Sequence, residues 1–341
     1  AHELTSSGRN RVLLIEAGGK PGLMSRIPAG FPKLFGTRFD WNYATEPQTA
    51  CGGRVVYVPR GKMLGGTSNM NAQIHQWCHP ADFDGWAAFG ASGWSWHEVA
   101  PVFRAMERLT GGEPGDQRRG TLGPMIVGRP ASLHPIARCF VDAAAAVGLA
   151  GERDYNGGAY TGAWLTEQAH RGGRRFSAYD AYLKPAAARD NLTILSGAQV
   201  DALLIEDGRA VGVRTIAPRA AEHRAGGVIL AAGTIGSPHL LMLSGIGPAD
   251  HLRAHGLPIV RDLPGVGSDL QEHPLSGLMF HTRRPISMKA AGLAQLLRWL
   301  VTRTGLLASS SVDAFAFTNV LGGAAPDLEI VFGAFEVRDQ L

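Results

Sequence analysis

The stretch RVLLIEAGG, residues 11–19, is an apolar run closed by an acid and two glycines. Such a run, without polar alternation, suits a strand of a parallel sheet covered on both faces. An acid at the tip of that kind of strand is how dinucleotide-binding folds hold a ribose. The glycine-rich phosphate loop of those folds stands about 20 residues before the acid. Only 15 residues precede Glu16, and Gly8 is the one glycine among them. RVLLIEAGG therefore reads as half of a nucleotide site with Glu16 as the ribose candidate. Strand-tip acids are also common in α/β proteins without nucleotides, and the spacing alone leaves both readings open.

The 341 residues suffice for two domains, or for one large α/β domain with an insertion. Hydrophobic residues at 45% and charged residues at 18% describe a globular protein with a substantial core. The balance of 33 Lys+Arg against 29 Asp+Glu is a net +4, and no basic run carries interleaved aromatics. Nucleic acid is thereby excluded as an expected partner. The 45 glycines suit loops that let backbone approach a ligand. Cys51, Cys78 and Cys139 are widely spaced and odd in number, as expected of free thiols in a reducing compartment. That points to the cytoplasm, with peripheral attachment to a membrane as the alternative. The late segment GLAQLLRWLVTRTGLLASS carries Arg298 and Arg303. It therefore reads as an amphipathic helix rather than the ~20-residue uncharged run of a membrane span. No apolar core of a signal peptide opens the chain. The first residue is not Met and the final FGAFEVRDQL stops after an apolar run, so the coding sequence is expected to continue at both ends.

Along the chain, AHELTSSGRN reads as the end of a helix, RVLLIEA as a buried strand and residues 20–59 as a long irregular excursion. LGGTSNMN (64–71) leads into a helix-like stretch. Ser95 with Glu98 forms a capping box for the next helix. A helix over LHPIARCFVDAAAA closes near Gly148, and another runs through SAYDAYL to Pro185. The period then changes to strands, with an Asp207-Gly208 hairpin turn. VILAAGTIGSP follows as a buried strand and small-residue turn, with Ser237-Pro238 as a helix start. The order suggests a sheet-based nucleotide domain interleaved with a second domain, α/β in its Rossmann-like part and α+β overall.

Three stretches carry chemistry. Glu16 is the first. In VILAAGTIGSP, Ala232 and Gly233 leave room for a ligand on backbone, although tight helix–strand packing also demands small residues. In LGGTSNMN, Gly65 and Gly66 before short polar side chains expose N–H groups that bind anionic or carbonyl oxygens, and an ordinary capped turn reads alike. His75, Cys78 and His79 in HQWCHP have no second cluster at zinc-like spacing, so no metal is expected there. Ser244-Gly245 lacks the spacing of a nucleophile elbow.

Taken together, PRGKMLGGTSNMNAQI followed by DFDGWAAFGASGWSWHEVAPVFRAME, then GTIGSPHLLMLSGIGP and LPGVGSDLQEHP, resemble the glucose–methanol–choline (GMC) oxidoreductases, the choline dehydrogenase-like members included. FDWNYATEPQ and RRFSAYDAYLKPAAARDNLTIL match the same pattern, in collinear order over nearly the whole chain. The resemblance implies a flavin enzyme that oxidises a small-molecule alcohol, its FAD-binding domain (1–128 and 193–282) interrupted by a substrate-binding domain (129–192 and 283–341). Glu16 would hold the adenosine ribose and Val200 would meet the adenine through its backbone. Trp41, Gly65, Gly66, Asn71, Ala72 and Ile74 would line the flavin end, and Ala232 and Gly233 would border the cofactor. Some members tether the flavin through a histidine in the GGTSNMN stretch; Met70 stands at that position here, so the FAD is expected to be non-covalent.

The resemblance also places the phosphate loop before Ala1 and the catalytic histidine beyond Leu341, so no catalytic residue is assigned within the chain. Hydride would pass from the alcohol α-carbon to flavin N5 while that histidine removes the hydroxyl proton. The chain expressed alone is expected to hold FAD poorly and to turn over no alcohol. Asp313 aligns loosely with an acid facing the pocket in choline-oxidising relatives, against the competing and favoured reading of an exposed loop acid. The electron acceptor (a quinone, a dye-like acceptor or O2) is left open. Rival readings are a hydroxynitrile lyase-like member, a nicotinamide-dependent dehydrogenase and an inactive remnant.

Overall fold

The computed structural model describes residues 1–112, 116–130, 132–151, 154–158, 160–280, 288, 291–323 and 325–335. They form two compact units. The smaller comprises Gly8–Lys20 and Asp190–Leu278, and the larger Ala1–Ser7, Pro21–Arg189 and Met279–Leu341. The expected boundary at 282/283 lies outside the described residues. Helix and sheet are mixed throughout. No helix among the described residues is long and apolar enough to cross a membrane.

In the smaller unit the strand Val12–Glu16 pairs in parallel with Leu192–Ser196, Val12 opposite Leu192 and Glu16 opposite Ser196. The expected cover on both faces is not formed: Leu13 is 42% exposed and its neighbours are half-buried. Among the described residues the ladder is two strands wide, too narrow to bury both faces. Beyond the tip, the Ala198 N–H donates to Glu16 O and the Gly197 N–H to Gly18 O. The antiparallel meander Gln199–Glu206, Arg209–Ala217 and Ala221–Arg224 turns on Asp207 (φ +50°) and Gly208 (φ +74°), as the Asp-Gly pair requires of a primed hairpin turn.

The strand expected over VILA does not form. Residues 227–232 are irregular and Ile229 is 73% exposed, because no strand among the described residues lies beside them to supply a ladder. Helix Gly233–Leu243 starts before Ser237, so Pro238 sits inside it instead of opening it. Its ring there forfeits the bond to the Thr234 carbonyl. Gly245 (φ +81°) ends the segment, and Ser244 Oγ accepts from the Leu203 N–H, tying helix to meander.

In the larger unit, helix Pro135–Ala146 covers a three-stranded antiparallel sheet of Leu328–Gly333, Val312–Thr318 and Gly162–Leu165. Ala137 and Ala144 of the helix pack on Ala314, Ala316 and Ala163, small residues that let helix and sheet approach closely. Ser95 and Glu98 cap helix Trp96–Met106 reciprocally, as the sequence indicates. The amphipathic helix Leu293–Thr302 buries Trp299 against Ile27 and Ala308. Two expectations fail here. The helix containing Tyr179 passes through Pro185, widening over Tyr179–Leu183 into a π turn that frees the ring from the carbonyl four residues back. No helix follows GGTSNMN: one 3-10 turn, Gly66–Asn69, gives way to irregular chain. There the His75 N–H donates to Glu167 O and Gln73 O accepts from the Ala169 N–H, so these backbone groups are committed elsewhere.

Candidate functional site

Glu16 is half-buried at the carboxyl end of its parallel strand, the end where open α/β sheets bind ligands. Its Oε1 accepts from the Gly18 N–H at 2.8 Å, which turns the carboxylate back over the strand tip. Val200 is half-buried between two shifts of register in its ladder, a bulge that takes its backbone out of regular pairing. Ala232 is the N-cap of helix Gly233–Leu243 without a side-chain cap, and Gly233 (φ +83°) has nothing within 4 Å of where a Cβ would stand. These four candidates belong to the smaller unit.

Trp41, Gly65, Gly66, Asn71, Ala72 and Ile74 belong to the larger one. Trp41 stacks on Tyr43 with centroids 5.8 Å apart, and Lys62 Nζ stands 4.5 Å from the Trp41 ring. Its loop is held by Asp40, which the sequence reading passed over. Asp40 Oδ1 accepts from the N–H of Asn42 and Arg60, and Oδ2 from the Gly36 N–H and the Tyr57 hydroxyl. Burial pushes this carboxyl up, but those four donors outweigh it and leave its pKa below the ordinary value. Gly61 passes so close to Gly66 that a Cβ would lie 2.5 Å from the Gly66 carbonyl carbon.

Gly65 holds φ +94°, and a Cβ on it would meet Tyr179 Cβ at 2.8 Å. Asn69 folds under the turn to donate to Leu64 O, and Ser68 Oγ donates to Gly65 O and accepts from the Ala178 N–H. Asn71 is exposed, Ala72 half-buried, and Ile74 forms a bridge to Gln168. A second residue missed in the sequence, Arg175, grips this turn from beneath. It lies within RRFSAYDAYL, but a buried arginine looks no different in sequence from an exposed one.

The HQWCHP stretch is built for structure. His79 caps helix Pro80–Ala88 by accepting from the Ala81 N–H, and Cys78 is exposed. His75 Nε2 lies 2.7 Å from Glu107 Oε2, which also accepts from Trp77 Nε1 at 3.0 Å. Arg119 reaches both Glu107 oxygens, Glu167 Oε2 at 2.7 Å and Asp154. Burial pushes Glu107 up, yet the bonds from His75 and Arg119 prevail and lower its pKa. Glu167 is raised by burial, against which Arg119 acts only in part. Among the described residues no group of three or more His, Cys, Asp or Glu is arranged to hold a metal ion.

Asp313 is not an exposed loop acid. It sits within the strand Val312–Thr318 at 0% exposure. Its oxygens accept from the His134 N–H, Ser309 Oγ and Gln168 Nε2.

The family profile described as GMC oxidoreductase matches residues 13–275, spanning every candidate above except Asp313. The chain belongs to the GMC oxidoreductase family. The oxygen-dependent choline dehydrogenase of Rhizobium johnstonii is 39% identical over 347 residues, covering 97% of this chain and 62% of that protein. The pyridoxine 4-oxidase of Mesorbium loti superposes with a TM-score of 0.87 at 33% identity, over 98% of this chain and 63% of that one. An FAD-dependent oxidoreductase from Chaetomium thermophilum superposes at 0.82 with 26% identity, over 93% and 59%. The chain thus spans about three fifths of the length of the relatives it matches.

FAD is the cofactor of GMC oxidoreductases, and the donor set here is chemically suited to it. The smaller unit offers a strand-tip carboxylate and an open glycine at a helix start. The larger offers a glycine turn and, near it in sequence or bound to it, two buried polar atoms without a partner among the described residues, Gln73 Oε1 and Arg175 Nε. Met70, at the tethering position of some GMC members, is 2% exposed and packs with Leu34 and Met63.

Proposed function

We propose that the complete protein is an FAD-dependent oxidoreductase acting on the CH–OH group of a small alcohol, choline dehydrogenase-like in its substrate class. The observation that carries this reading is Glu16, a half-buried carboxylate at the carboxyl tip of a parallel strand inside the stretch matched to the family. Glu16 would accept from the ribose hydroxyls, which favours an adenosine without a 2′-phosphate. Val200 would meet the adenine through the backbone at its bulge, and Ala232 and Gly233 would border the cofactor. Trp41, Gly65, Gly66, Asn71, Ala72 and Ile74 would line the flavin end.

Bound FAD supplies the hydride acceptor for the alcohol α-carbon. The chain's share is to orient the flavin and keep water from its wall. Met70 has no imidazole nitrogen to offer and is packed against Leu34 and Met63, which supports a cofactor held without a covalent bond. Asp313, with both oxygens committed to internal donors, is assigned to holding its sheet rather than to the alcohol. The base that takes the hydroxyl proton is not assigned to any of the 12 histidines of the sequence.

The protein expressed from its complete open reading frame should co-elute with FAD and reduce an artificial dye when given choline or a related alcohol. Glu16→Gln should weaken FAD binding at least about tenfold, since hydrogen bonds to a charged group contribute roughly 1.5–3 kcal/mol. Cleavage of a cyanohydrin without flavin bleaching, or NADH bound in place of FAD, would overturn the reading.

A further inference from the structure

Arg175 ends the hairpin His170–Arg171/Arg174–Arg175 and is 4% exposed. Its fork meets three oxygens: Nη1 donates to Asn71 Oδ1 at 2.8 Å and Ser68 O at 3.2 Å, and Nη2 to Asn71 O at 2.7 Å. All three lie on the turn that follows Gly65 and Gly66. Nε is buried and finds no acceptor among the described residues. Arg119, equally buried, is matched by Glu107, Asp154 and Glu167. Among the described residues Arg175 meets only neutral oxygens, and burial pulls its pKa down to about 9. A clamp on a turn needs donors but no net charge. An interior cation left without a counter-charge is costly, and it suits a site where a negative group arrives later.

Resting on the FAD reading, we propose that Arg175 is a positioning residue that fixes the Ser68–Asn71 turn and whose charge is matched by the bound flavin when it is reduced. Were FAD bound, the alcohol would become a carbonyl by passing a hydride to the cofactor and its hydroxyl proton to a base, and the hydride would bring one negative charge to the flavin end of the site. A buried guanidinium one residue from the wall favours that charge through a low-dielectric path, so it favours reduction. Its hydrogen bonds to Asn71 set where the wall stands, and its charge sets how readily the ring is reduced.

The test uses holoenzyme from the complete open reading frame, with Arg175→Gln and Arg175→Lys. Two quantities are read: the flavin midpoint potential against reference dyes, and the FAD dissociation constant. Arg175→Gln should shift the reduced-to-oxidised equilibrium at least tenfold towards oxidised flavin, about 30 mV for a two-electron couple. Arg175→Lys should hold the potential within about threefold of that equilibrium while loosening FAD, because a point ammonium cannot serve three oxygens as a planar fork does. An unchanged potential in Arg175→Gln overturns the proposal, whatever happens to melting temperature. If Arg175→Gln does not fold, Arg175→Lys decides: a tenfold shift in the charge-conserving variant overturns it, and a kept potential with weaker FAD supports it. Wild-type protein that binds no FAD would instead refute the functional reading and this proposal with it; wild type that holds FAD isolates the failure to Arg175.

Discussion

Asp313 accepts from the His134 N–H at 2.7 Å, the Ser309 hydroxyl at 3.0 Å and the Gln168 amide at 3.1 Å, with no side-chain atom in solvent. Burial raises its pKa and the donors oppose that without cancelling it. Because the folded value lies above the unfolded one, this titration favours the fold below about pH 4 and the benefit is lost as pH rises through the folded value. What the residue contributes at neutral pH is satisfaction of three buried donors. Asp313→Ala should therefore cost about 2 kcal/mol or more, since the His134 N–H and the Ser309 hydroxyl are stranded at roughly 1–3 each, whereas Gln168 Nε2 keeps Thr166 Oγ1 and Val312 O. Asp313→Asn should cost less, because an amide oxygen still accepts and no charge is buried. Urea unfolding of both variants checks this, and a midpoint unchanged in Asp313→Ala would show that the three bonds do not hold the sheet.

At the scale of elements, the glycine turn separates two positions that read alike in LGGTSNMN. Gly65 combines φ +94° with a Cβ position 2.5 Å from Asn69 Nδ2, whereas Gly66 at φ +53° has nothing within 4 Å. Alanine at 66 bears only the left-handed backbone cost, roughly 1–2 kcal/mol. Alanine at 65 adds steric overlap of roughly 1–3 kcal/mol. Melting temperature and FAD retention should fall clearly for Gly65→Ala and little for Gly66→Ala; equal losses would mean that the close approach to Asn69 and Tyr179 carries no weight. Elements whose cause is local were legible in sequence: the Asp207-Gly208 turn, the Ser95–Glu98 box and the helix closed near Gly148 each depend on neighbours within a few residues. Those whose cause is distant were not. Residues 73–75 spend backbone groups on 167–169, and among the described residues 227–231 have no strand beside them. In the site, Glu16 and the glycine pair were visible as residue types at a spacing. Asp40 and Arg175 were invisible, because what makes them special is burial and partners brought in by folding.

Across the larger unit as a whole, residues from four separate stretches meet around Arg119. Glu107, Asp154 and Glu167 bring three carboxylates against this one guanidinium, with His75 on the far side of Glu107. Tyr155 links the same parts by donating to His75 O and accepting from the Glu167 N–H. Negative charge is in excess there, and the two buried glutamates divide accordingly. Glu107, held by Arg119 and His75 against burial, has its pKa lowered from 4.5, so its contribution is present above pH 4.5 and lost as pH falls through the folded value. Glu167, raised from 4.5, contributes the reverse: its titration favours the fold below pH 4.5 and loses that effect as pH rises. The two isosteric variants should therefore behave differently. At pH 7 Glu107→Gln removes the carboxylate that meets Arg119 through both oxygens and should cost about 3–5 kcal/mol, a gap that narrows in acid as the wild type itself protonates. Glu167→Gln relieves a disfavoured charge while an amide oxygen still accepts from Arg119, and should cost less than about 1 kcal/mol at pH 7. Denaturant midpoints of wild type and both variants between pH 4 and 8 decide it. Equal losses at pH 7, or a Glu107→Gln penalty that does not shrink in acid, would mean that Arg119 does not favour Glu107 over Glu167.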